Sequence, residues 1–230
     1  MSVIAIDSAS RVSAWVLRTT AAGSVLDRRE LPGGELDRRL PGALAAVIDG
    51  DVEAVVVLIG PGSYSGVRAG MAAALGLAGA RGLPLHGLGN LAAVAAVAVL
   101  AGGGDFSALA DAGRGGVYIA RFERRGNVAE QISAVRRTEA DAVDRHRPLF
   151  ATAAIAGLVI ELVDPVRALA AGVPLAMALP GLEAAGLSAI HAGDGSGAPG
   201  AGTTPRRRLV DEGGKPRGPV KLGLRINRPR

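Results

Sequence analysis

Ser63, Ser65 and Arg68 fall inside one short run, Gly60-Pro61-Gly62-Ser63-Tyr64-Ser65-Gly66-Val67-Arg68. Hydroxyls of the helix-capping type, glycines that let another group reach the backbone, and a guanidinium one turn on are the equipment of an anion site. Unpaired amides and the helix dipole both favour negative charge at such a place. The same residues would serve equally as a tight turn that packs a helix closely onto a sheet, and residue types alone leave both readings open. Two chemistries are set aside. A nucleotide-binding loop of the Walker type ends in Gly-Lys-Ser/Thr, whereas Ser65-Gly66-Val67-Arg68 carries no lysine. A nucleophile elbow around Ser63 would need a glycine where Pro61 stands.

Asp7 is the other chemistry-bearing residue, at the end of the apolar run Val3-Ile4-Ala5-Ile6. A carboxylate there can handle a metal or a phosphate, or it can cap a turn. With Ser63, Ser65 and Arg68 it completes the weak cofactor candidates, and no cofactor is expected. His86, His146 and His191 are isolated, without the spacing of a ligand set, and the chain has no cysteine, so neither a metal centre nor a thiol nucleophile is expected.

The elements that must hold these residues read as α/β. Ala54 to Ile59 is a continuous apolar run of the kind buried on both faces of a sheet, ended by Gly60. Before it, residues 3 to 7, 12 to 18 and 24 to 30 read as a β-meander, and Glu35 to Ile48 as a helix interrupted near Pro41 and Gly42. After the glycine loop come a helix to about Ala80, a strand near Leu83 to His86, and an apolar helix beginning near Leu88. Phe106 to Ala110 and Gly116 to Glu123 pair as a second strand-rich opening, so a repeat starts near residue 104; beyond Arg147, Pro165, Pro174 and Pro180 cut every long pattern. The expected organisation is a lobe over 1–103, a smaller second lobe over 104–194 and a tail over 195–230.

The loop Gly60-Pro61-Gly62-Ser63-Tyr64-Ser65-Gly66-Val67-Arg68-Ala69-Gly70 resembles the GPGSFTGxRxG signature of the bacterial TsaB (YeaZ) family. The opening Ile4-Ala5-Ile6-Asp7-Ser8-Ala9-Ser10 is similar to that family's first strand, and Asp111-Ala112-Gly113-Arg114-Gly115-Gly116-Val117-Tyr118 to its DARRGEVY segment. The resemblance covers roughly the first half of the chain. It implies an actin-like, ribonuclease-H-like fold of two lobes with mixed sheets flanked by helices. It also implies a non-catalytic subunit of the tRNA threonylcarbamoyladenosine machinery, cytoplasmic, bound to a TsaD-like catalytic subunit with a TsaE-like ATPase, reaching tRNA through that complex or pairing with itself. Gly113 and Gly116 depart from it, standing where the family usually has Arg and Glu, and Leu36 to Leu40 lacks its histidine-serine pair.

Gly62, Gly66, Gly70, Ala74 and Ala78 recur every four residues, so from Gly66 onward they form one helical stripe, and small residues let two backbones approach. With the resemblance, this stripe and its neighbours make Val67, Met71, Ala74 and Leu75 the expected partner contacts.

Charge and composition narrow the classes. Residues 195–230 hold seven Arg and two Lys against Asp211 and Glu212, a balance of +7, so the formal +5 of the chain lies in a basic, Gly/Pro-rich tail. Such a tail suits a solvated appendage or nonspecific contact with RNA, which keeps an RNA-binding accessory role among the alternatives. The enzymatic alternative is an ATP-using phosphotransferase of the sugar-kinase class, although the loop after Asp7 lacks a glycine for close approach to phosphate. Leu91 to Gly102 falls short of the ~20 residues a bilayer requires, so no membrane partner is expected.

Overall fold

The computed structural model describes residues 2–48, 51–101, 104–179 and 181. Among them the chain builds two sheets with one plan. In the first, β1 (Ser2–Asp7), β2 (Ser13–Thr19) and β3 (Val25–Pro32) form an antiparallel meander, and β4 (Val52–Leu58) and β5 (Leu85–Leu88) add in parallel on the other side of β1, giving the order β3-β2-β1-β4-β5. Helices α1 (Leu36–Val47), α2 (Tyr64–Arg81) and α3 (Asn90–Ala98) follow β3, β4 and β5. This is the ribonuclease-H-like strand order of an actin-like lobe.

The second sheet repeats it. Here β6 (Asp105–Gly113) and β7 (Gly116–Arg125) pair antiparallel, β8 (Val128–Gln131) and β9 (Arg136–Glu139) both pair with β7, and β10 (Leu149–Ala151) and β11 (Glu161–Leu162) run parallel beyond β6. A single 3-10 turn, Ala140–Ala142, stands where the first lobe has α1, and among the described residues of this lobe only α4 (Pro165–Met177), the counterpart of α3, is a full helix. Asp164 caps it by accepting from the Arg167 amide at 3.0 Å, and Pro165 occupies its first turn, where no amide is required.

Burial explains the layering. Val3, Ala5, Val56 and Leu58 on one face of β1 and β4 join Ala93, Val94, Leu169 and Val173 in the core between the sheets, while Ile4, Ile6, Val55 and Val57 on the other face pack under α1 and α2. Alternation on two buried faces is why these strands read as continuous apolar runs. The chain's three phenylalanines meet in the first core: Phe106 lies 5.8 Å from Phe122 and 5.5 Å, edge-on, from Phe150. Alanines of α3 leave room for these rings. The two inner helices are exchanged: α3 packs on β6, β7, β8 and β10 of the second sheet, and α4 on β1, β2, β4 and β5 of the first.

Candidate functional site

The motif loop follows β4 and enters α2 at Ser63. The Ser63 hydroxyl accepts from the Gly66 amide at 3.3 Å, closing the helix start, and its own amide donates to the Ala9 carbonyl at 2.7 Å. Ser65 Oγ stands 3.5 Å from Ser63 Oγ. Gly60 has φ +91, a backbone region that a side chain would strain, and its carbonyl accepts from the Asn90 amide at 2.9 Å. The Asn90 side chain donates to the Pro61 carbonyl at 3.0 Å. Asn90, buried at the start of α3, is thus a loop anchor that sequence reading missed; an asparagine just after a glycine at a helix start was the available signal.

The small-residue stripe has a specific neighbour. A Cβ on Gly62 would collide with the Ala9 carbonyl, one on Gly66 with the Ser8 carbonyl, and one on Gly70 with the Ser8 hydroxyl. The stripe therefore seats α2 on the strand exit of β1, with Ala74 and Ala78 continuing it over the sheet. This corrects the expected partner set. Ala74 is 0% exposed and inside the core beneath α2, so it cannot meet another chain. Val67 and Met71 are half-buried against the two cores, and Leu75 alone of the four is exposed, at 39%.

The outward face of α2 carries a different row. Tyr64 is 74% exposed, and the Arg68 guanidinium lies 5.2 Å from its ring centroid. Ala72, Leu75, Gly76 and Gly79 continue along it, with nothing within 4 Å of a Cβ placed on either glycine.

Asp7 is buried, and its carboxylate accepts from the Ala9 amide at 2.8 Å, a turn closed by the side chain. Burial pushes its pKa up from 3.8 to about 6, and the Ala9 hydrogen bond opposes that rise. The second lobe repeats the device where β6 ends: Asp111 accepts from the Gly113 amide at 2.7 Å. The two strand exits are joined across the lobes by Arg11, whose Nε lies 3.4 Å from the second Asp111 oxygen.

A cavity of about 510 Å³ opens beside the motif loop, lined among others by Ser10, Arg11, Ser13, Asp37, Ser63 and Ser65. It gathers Ser63 and Ser65 but not Asp7 or Arg68. His86 is buried on β5 and His146 is exposed; His191, like the tail, lies outside the described residues. Among the described residues no group of three or more His, Cys, Asp or Glu is placed to hold a metal ion, and no helix is long and apolar enough to cross a membrane.

Two lobes of one strand plan, joined at paired strand exits and carrying a glycine-bearing loop that seats a helix, define an actin-like protein of the ribonuclease-H-like class. Residues 44–170 match the family described as TsaD, tRNA N6-adenosine threonylcarbamoyltransferase, and the chain belongs to that family. Its fold is that of YeaZ, the TsaB branch that the motif loop resembles: YeaZ from Pseudomonas aeruginosa superposes with a TM-score of 0.53 at 22% identity, over 66% of this chain and 75% of that one. Uncharacterized proteins of Mycobacterium tuberculosis and Mycobacterium bovis are each 35% identical over 128 residues, 53% of this chain. The chain spans 59% of the length of these curated relatives.

Proposed function

We propose that this chain is a TsaB-type accessory subunit of the machinery that installs threonylcarbamoyl on N6 of adenosine in tRNA, and that it holds a TsaD-like catalytic subunit through the outer face of α2. The observation that carries this reading is the row Tyr64, Arg68, Ala72, Leu75, Gly76 and Gly79. It pairs an exposed aromatic and arginine, residue types that dominate binding hot spots, with small positions on which a second helix can lie closely. The motif helix thus uses one small-residue face for its own sheet and offers the other to a partner. A TsaE-like ATPase would join the same assembly, and self-association would use the same face.

The test is co-purification. Leu75→Asp and Ala72→Arg replace exposed residues and leave a folded chain, and each is expected to abolish capture of the TsaD-like subunit from the same cell and tRNA modification by the mixture. Undiminished capture by both variants overturns the proposal. Ala74→Arg is not a usable probe, because it forces a charge into the core.

A further inference from the structure

The two glycines that depart from the family segment are covered by arginines from elsewhere. A Cβ on Gly113, whose φ is +73, would sit 2.8 Å from Nη2 of Arg11, and one on Gly116 would collide with the Arg137 guanidinium. Arg137 also donates to the Gly113 carbonyl at 3.5 Å, so two guanidinium groups from β9 and from the β1–β2 turn meet the same residue. Arg114 stands at the tip of this turn, exposed and in the left-handed region at φ 54, with no ion pair among the described residues.

Carboxylates offset only part of this charge. Arg11 pairs with Asp111, and Arg137 with Glu139 at 2.9 Å, which leaves three arginines against two acids; the neighbouring Arg136 has no ion-pair partner among the described residues. Cations gathered on one bare backbone repel one another unless an anion lies between them, and arginine is the side chain that grips phosphate with two donors. Two further features adjoin the arginines. Tyr118 faces Arg137 directly across the β7–β9 pairing, so a half-buried aromatic ring adjoins the arginines. Arg11 also lines the 510 Å³ cavity with Asp37 and the hydroxyl residues Ser10, Ser13, Ser63 and Ser65, so the arginines border a cavity whose lining is part polar and part apolar.

We propose that Arg11, Arg114 and Arg137 form a binding site for backbone phosphates of RNA, with Tyr118 placed against a base or sugar. The choice of RNA over a free nucleotide rests on the tRNA-linked function proposed above. Side chains at 113 and 116 would close the site by displacing Arg11 and Arg137.

The full chain is titrated with tRNA by fluorescence anisotropy between 50 and 200 mM salt, and the wild-type complex is mapped by ultraviolet cross-linking and peptide mass spectrometry. Cross-links at Tyr118 or elsewhere in 112–124, and a slope of log affinity on log salt that falls by about two in Arg114→Gln/Arg137→Gln, support the site. Arg28→Gln/Arg81→Gln, exposed arginines of β3 and α2, removes the same charge elsewhere and serves as the control. Arg137→Lys keeps the charge and should recover part of the loss. Cross-links confined to 195–230 with an unchanged slope overturn the proposal, as does an equal loss in the control. Binding of ATP or pyrophosphate with the same arginine dependence, in the absence of tRNA binding, overturns the assignment to RNA. Capture of the TsaD-like subunit is expected to be unchanged in Arg114→Gln/Arg137→Gln, which separates a failure here from a failure of the accessory role.

Discussion

Replacing Asp7 by asparagine should flatten the dependence of stability on pH between about 4 and 7. The carboxyl titrates near 6 in the fold and at 3.8 when exposed, so between those values the folded chain holds a proton that the unfolded chain has released. Folding is therefore favoured by acid in this window, and stability falls as pH rises from about 4 through about 6. The penalty is complete above that. A rise from 3.8 to about 6 corresponds to about 3 kcal/mol, an upper figure because the site can relax. The side chain introduced by Asp7→Asn would keep the oxygen that accepts from the Ala9 amide but cannot ionise. An amide N–H left there without a hydrogen bond would cost about 1–3 kcal/mol at every pH. The absolute change at pH 7 is thus small, while the difference between the variant's effects at pH 7 and pH 4 should be about 2 kcal/mol, because the unfolded carboxyl is already largely ionised at pH 4. Urea unfolding of both proteins at half-unit pH steps measures it. Other groups titrate alike in the two proteins and cancel; Asp27 and Asp144, held below the usual carboxylate range by hydrogen bonds from the Arg28 and His146 amides, act at lower pH. Parallel stability profiles for wild type and variant across pH 4 to 7 would refute the reasoning.

Four further outcomes follow from the packing of α2. Gly66→Ala and Gly70→Ala drive a methyl group into the Ser8 loop and should each cost about 1–3 kcal/mol, measured by urea unfolding. Gly76→Ala meets nothing and should stabilise the chain by about 0.5–1 kcal/mol in the same assay, while Gly79→Leu is expected to weaken capture of the TsaD-like subunit without lowering stability. Ser63→Ala loses the helix cap on the Gly66 amide and should cost about 1 kcal/mol, read as a lowered midpoint with an unchanged urea slope.

Much of the first lobe was legible because its strands announce themselves. Six apolar residues in a row at Ala54 to Ile59 admit few structures other than a central strand, and the capping serines mark the start of α2 within a residue. The helix through Pro41 was harder, since one missing hydrogen bond reads as a break although Leu40, Ala43, Leu44 and Val47 hold the helix to the core. The direction of α2 was misread for a clear reason. Small residues line both of its sides, Gly66, Gly70, Ala74 and Ala78 inward and Ala72, Gly76 and Gly79 outward, so spacing carries no information about which side meets the sheet. That is decided by Ser8 and Ala9, far away along the chain. The arginines over Gly113 and Gly116 were equally hidden, because Arg11 reaches its neighbour from the other lobe and β9 is a four-residue strand without an apolar pattern.

The exchange of inner helices ties the assembly of this chain to its synthesis. The helix that covers the inner face of the first sheet begins at Pro165, so a nascent chain emerging from the ribosome presents that face of β1 and β4 to water until α4 has been made. A fragment ending near residue 103 would lack that cover, and one starting there would lack α3 over its own sheet. Neither half is expected to mature alone, which makes the two lobes a single cooperative unit that closes only once α4 is in place.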